Sequence, residues 1–108
     1  MSSSAHGERL QKLQQLLEKS PADTFLLYGI ALEYKKGGEL QRALEYLDRV
    51  IQLDWGYCYA YHQKGLTCEA LGDVDAAKQA YQAGIDAATR KGDAHARDEI
   101  GAALSMIE

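Results

Sequence analysis

Apolar positions in this chain recur at helical spacing, and the recurrences are broken by short polar or glycine-containing steps. Between Cys58 and Lys91, one helical face carries Tyr61, Gly65, Cys68 and Leu71. After Gly72-Asp73, a second face carries Val74, Ala77, Tyr81, Gly84 and Ile85. This pattern predicts a helix, a tight turn and a second helix. Upstream, Leu10, Leu13, Leu16 and Leu17 form an amphipathic stripe over residues 8–20, stopped at Ser20-Pro21 because proline cannot continue a helix. Asp23 is placed to cap a helix over Thr24–Lys36, and Gly37-Gly38 ends it with left-handed backbone available. Glu39 opens its partner, which runs to about Leu53. Gly92-Asp93 begins a last helix, over 93–108, with Ala96, Ile100, Ala103, Leu104 and Ile107 on one side. The leading residues 1–7 (MSSSAHG) are small and polar and are expected to be disordered.

The chain also matches itself when shifted by 34 residues. Leu27 falls on Tyr61, Ala31 on Gly65, Tyr34 on Cys68 and Gly38 on Gly72. Leu40 falls on Val74, Ala43 on Ala77, Leu47 on Tyr81, Val50 on Gly84 and Ile51 on Ile85. Most pairs keep their size class, which helical periodicity alone does not require. A further shift toward the N-terminus sets Leu13, Leu16, Leu17 and Pro21 on the slots of Leu47, Val50, Ile51 and Trp55.

A helix-turn-helix unit with this period resembles the tetratricopeptide repeat family, in particular its small bacterial proteins. The resemblance rests on Leu27, Ala31, Tyr34, Gly38, Ala43 and Leu47 in one copy. In the next it rests on Tyr61, Gly65, Leu71, Gly72, Ala77 and Tyr81. It covers about residues 9–91, with Pro21 where the family usually places its repeat-ending proline. It implies an all-α fold, a short right-handed solenoid of antiparallel helix pairs: a flanking helix over 8–20, repeats over 24–57 and 58–91, and a capping helix over 93–108. The repeat pattern fails in the last helix, where Asp98 and Glu99 land on slots expected to be apolar or small, so it reads as a capping helix slid out of register and not as a third repeat. Asp54-Trp55-Gly56 replaces the family's Asp-Pro-x step, leaving a looser turn or an indole packed across the junction.

Composition narrows the function. The 108 residues suffice for one domain with a modest core. A net charge of −4 with scattered basic residues gives no phosphate-tracking stripe, so nucleic acid is not expected as partner. No apolar run approaches a membrane span. Cys58 and Cys68 lie about 15 Å apart along one expected helix, too far to bond, which fits a reducing cytoplasm. His6, His62, His95 and the cysteines make no metal-ligand spacing, so no metal and no cofactor are expected. Cys68 reads as core and Cys58 as an ordinary surface thiol near a helix start. Asp73/Asp75 and Asp98/Glu99 read as helix-start and surface charges, not a catalytic dyad, so no enzyme is expected.

In stacked hairpins of this family the first helix of each pair lines the concave side. The resemblance therefore places Phe25, Tyr28, Gly29 and Leu32, then Tyr59, His62, Gln63 and Leu66, in a groove. Their aromatic and aliphatic character suits a peptide or helix of another protein. Some relatives clamp a partner's C-terminal carboxylate with lysine, asparagine and arginine. The matching slots here hold Tyr28, Leu32, Gln63, Asp93 and Arg97, which argues against that co-chaperone-type role. The expected function is a non-catalytic protein-interaction module. The alternative is a homodimeric scaffold burying the same surface.

Overall fold

The computed structural model describes the backbone of residues 2–108 and the side chains of residues 7–108. Among these, six α-helices follow one another without a strand: α1 Ser2–Lys19, α2 Thr24–Lys36, α3 Leu40–Leu53, α4 Cys58–Ala70, α5 Val74–Lys91 and α6 Ala94–Ser105. Each packs chiefly on its chain neighbours, and α6 also touches α4. The result is an all-α helical repeat measuring 37 × 28 × 19 Å.

The turns show how local sequence sets this path. Gly38 and Gly72, one period apart, both take φ +80, which the missing Cβ allows. The next residue then reaches back over the helix end. Glu39 donates its N–H to the Tyr34 carbonyl and Asp73 to the Cys68 carbonyl, each at 2.9 Å. Asp23, Asp73 and Asp93 cap the helices that follow, each accepting the amide three residues on at 3.0–3.1 Å. Glu39 opens α3 without a side-chain cap.

The second pair departs from the first at its end. Where α3 stops before Asp54-Trp55-Gly56-Tyr57, the corresponding residues of α5 are Ala88-Thr89-Arg90-Lys91, which contain no breaker. The helix therefore runs on to Gly92, which turns the chain at φ +81. α5 has 18 residues against 14 in α3, and α6 starts 36 residues after α4 (94 − 58) where α4 starts 34 after α2 (58 − 24).

Three apolar clusters fill the seams. Ile30, Tyr34 and Ala43 meet Leu10, Leu13 and Leu17 of α1. Leu27, Ala31, Leu47 and Val50 meet Ala60 of α4. Cys68, Ala77, Tyr81 and Ala88 meet Ala96 and Ile100 of α6. Close approach is settled by matched volumes. The first pair joins Ala31 to Leu47 in one core; the second sets Gly65 against Tyr81, whose ring fills the space of the missing side chain. Likewise Gly84 lies under Tyr61 where the first pair has Val50 and Leu27.

Several expectations need correction. Residues 1–7 were expected to be disordered, yet α1 is helical from Ser2, and Met1 lies outside the described residues. Once Leu10, Leu13 and Leu17 dock, extending the helix adds one hydrogen bond per residue without a new nucleus. Leu16, Leu71 and Val74, placed on the apolar stripes, are exposed. α1 has a neighbour on one side only, and Leu71 and Val74 sit at the α4–α5 turn, at the end of one helix and the start of the next. Cys58 is buried, not a surface thiol; its Sγ donates to the Gly56 carbonyl, and burial pushes its pKa up. Any depression from the helix start is outweighed by lost solvation.

The step at Trp55 is stitched across the junction instead of loosened. The Arg90 guanidinium lies 4.2 Å above the indole. Tyr61 donates its hydroxyl to the Trp55 carbonyl at 2.7 Å, and Lys91 its ammonium to the Gly56 carbonyl at 3.0 Å. Pairing across the junction does here what proline's fixed φ does by itself.

Candidate functional site

The first helices of the two pairs, α2 and α4, carry the candidate surface. Phe25 and Tyr59 occupy the same slot one period apart, and both are exposed, at 74% and 43%. Tyr28, Leu32, Gln63 and Leu66 are half-buried beside them. Two of these, Tyr28 and Gln63, join Tyr57 and Lys35 in a network between the helices. Tyr28 stacks at a tilt on Tyr57, with ring centroids 5.0 Å apart. Lys35, two helical turns beyond Tyr28, donates its ammonium to Gln63 Oε1 at 2.8 Å. Gln63 also hydrogen-bonds the Tyr28 hydroxyl.

Burial raises the Tyr28 pKa, with Tyr57 adding to the rise and the Gln63 hydrogen bond working against it. Burial likewise raises Tyr57, helped by Asp54 and Asp23. It lowers the Lys35 ammonium, whose charge is partly stripped of water. The Tyr28 and Tyr57 phenols therefore stay neutral over the whole physiological range.

Two expected members sit differently. His62 holds its ring edge-on to Tyr81, centroids 6.1 Å apart, at the border with the α5 seam. Gly29 does not open into the groove: a Cβ there would meet the Leu13 methyls of α1 at 3.6 and 3.7 Å. Its slot lies one step around the helix from Tyr28, on the flank that α1 covers. Ordinary contact distances predict that Gly29→Ala is accepted, stabilising α2 by up to about 1 kcal/mol through helix propensity. A raised urea midpoint checks this, and a lowered one would mean that α1 lies closer than described.

Sequence reasoning missed Tyr57 as part of the surface because it stands outside the helix, where periodicity assigns no face. Lys35 stands seven residues after Tyr28 and thus on the same face. Glu33 was missed too: it is buried at 3%, with Arg9 Nε 3.0 Å away and Lys36 Nζ 3.6 Å away, tying α1 to α2. Asp93, on the clamp slots, is spent capping α6, and Arg97 lies against Asp98. Among the described residues no three His, Cys, Asp or Glu gather as metal ligands. None of the helices there is long and apolar enough to cross a membrane.

Helix pairs repeating at 34 residues, with glycine turns in register, define a helical-repeat protein. Residues 26–54 and 59–91 match the tetratricopeptide repeat model, and the chain belongs to that family. It is 28% identical over 99 residues to TPR repeat-containing protein PA0015 of Pseudomonas aeruginosa, covering 92% of this chain and 94% of that one. The tetratricopeptide repeat domain protein of Salinibacter ruber superposes with a TM-score of 0.77 at 30% identity, over 82% of this chain and 89% of that one. The Sgt2 TPR domain of Aspergillus fumigatus gives 0.72 at 25% identity, over 95% and 73%. Repeats of this family generally serve as protein-interaction modules.

Proposed function

We propose that the chain is a non-catalytic module that binds an apolar peptide or helix of another protein across α2 and α4. One observation carries this: the same slot of both repeats holds an exposed aromatic, Phe25 and Tyr59. Exposed aromatics repeated along one face are costly in water and are the usual anchors of binding surfaces. Tyr28, Leu32, His62, Gln63 and Leu66 complete the surface with apolar area and neutral hydrogen-bonding groups. Two buried free thiols suit work in a reducing cytoplasm.

The test is a peptide selected from a displayed random library on the immobilised protein, then titrated into isotope-labelled protein. Shift changes are expected at Phe25, Tyr28, Tyr59 and Leu66. Tyr59→Ala should weaken binding on the order of tenfold or more while leaving the far-UV circular dichroism unchanged, because that side chain is largely outside the core. Changes confined to α3 and α5, or indifference to Tyr59→Ala, would remove the groove reading.

A further inference from the structure

Lys35 is a charged feature of the α2–α4 surface that an apolar ligand leaves unsatisfied. Its ammonium is half-buried, and its partner among the described residues is the neutral Gln63 amide at 2.8 Å. The other lysines of these two helices do have carboxylates: Lys64 pairs with Asp48 at 2.7 Å and Lys36 with Glu33 at 3.6 Å. The α2 C-terminus offers only a partial negative charge. Covering the groove would strip more water from Lys35, and a desolvated cation is costly without an anion. Water exclusion would strengthen its attraction to any carboxylate brought in.

Building on the interaction reading, we infer that the bound segment carries an aspartate or glutamate side chain that pairs with Lys35 between apolar residues. An internal acid fits better than a chain-terminal carboxylate. Of the clamp slots, Tyr28 and Leu32 offer no cation, Asp93 is an anion already committed to the Ala96 amide, and the one cation, Arg97, lies against Asp98. Phe25 and Lys35 lie ten residues apart on α2, and the lysine arm reaches back toward Tyr28. The charge thus sits about 10–15 Å along the axis from the Phe25 slot. An extended ligand spans that with roughly three to five residues between its acid and its aromatic or aliphatic anchor.

Parallel selections from one displayed random-peptide library on wild type, Lys35→Met and Lys35→Glu test this. Wild type should enrich aspartate or glutamate beside apolar residues. Lys35→Met should keep the apolar enrichment and lose the acidic one, and Lys35→Glu should enrich lysine or arginine. For a recovered, C-terminally amidated peptide, exchanging the acid for its amide should weaken binding to wild type on the order of tenfold, and to Lys35→Met less than about twofold. Equal acidic enrichment on wild type and Lys35→Met overturns the pairing alone, as does its absence from a wild-type pool rich in apolar residues. Binding that requires a free C-terminus overturns it in favour of a terminal carboxylate. No enrichment on folded wild type overturns both this pairing and the groove beneath it. Urea midpoints of the two variants near wild type establish that they remain folded.

Discussion

Gly65→Leu is expected to lower the free energy of unfolding by about 1–3 kcal/mol, and by more if α4 and α5 separate. A Cβ at Gly65 would lie 2.1 Å from the Tyr81 ring, inside any real contact distance. The ring cannot swing away, because Tyr81 is fully buried and its hydroxyl is bonded to Glu69 Oε2. A domain this size has only about 5–15 kcal/mol to lose. The urea midpoint should fall with the slope unchanged. The first repeat supplies the rescue: Gly65→Ala with Tyr81→Leu copies the pairing of Ala31 with Leu47. That double variant should be more stable than Gly65→Ala alone. A Gly65→Leu protein as stable as wild type would show that the two helices do not approach here and that Ala31 and Gly65 are not equivalent.

Alkaline pH should unfold the protein progressively, beginning near pH 9 where unfolded thiols ionise and steepening near pH 10 where unfolded tyrosines do. Burial raises the pKa of Cys58, Cys68, Tyr28, Tyr57, Tyr61 and Tyr81 in the folded state. Each therefore holds its proton in the native chain at a pH where the unfolded chain has released it. The native state binds more protons, so stability is full below the unfolded values and falls as pH climbs through the folded ones. Lys35 acts with the opposite sign, since its pKa is lowered, but it is a single group. Tyr81 should contribute most: after burial, its bond to the Glu69 carboxylate raises it further. Urea unfolding measured from pH 8 upward should show the decline. Tyr81→Phe should begin about 0.5–1.5 kcal/mol lower at neutral pH and decline less steeply. A wild-type stability flat beyond pH 10, or a Tyr81→Phe slope equal to wild type, would contradict this account of the α4–α5 seam.

Much of the architecture was written in short stretches of chain. Gly38 and Gly72 can only be turns of one kind, and an aspartate one residue before a helix is a cap wherever the helix later packs. The longer α5 is equally local, because Ala88-Thr89-Arg90-Lys91 offers no reason to stop. The exposed aromatics of the candidate surface were legible as well, since Phe25 and Tyr59 share a slot and the period placed both.

Other features depended on which helix lies across the seam. Gly29 and Tyr28 are adjacent on one helix, yet α1 covers the first while the second meets Tyr57 and Gln63 of the next repeat. Cys58 has the sequence context of a surface thiol and is buried by the stacking of α4 against α5 and α6. The pairing of Lys35 with Gln63 spans 28 residues and follows no helical period. The helices, their turns and the apolar face of each could be read along the chain, because hydrogen bonding and side-chain spacing act within a few residues. Tertiary stacking alone decided which polar groups those faces shut in together, because desolvation depends on neighbours that the chain brings from far away.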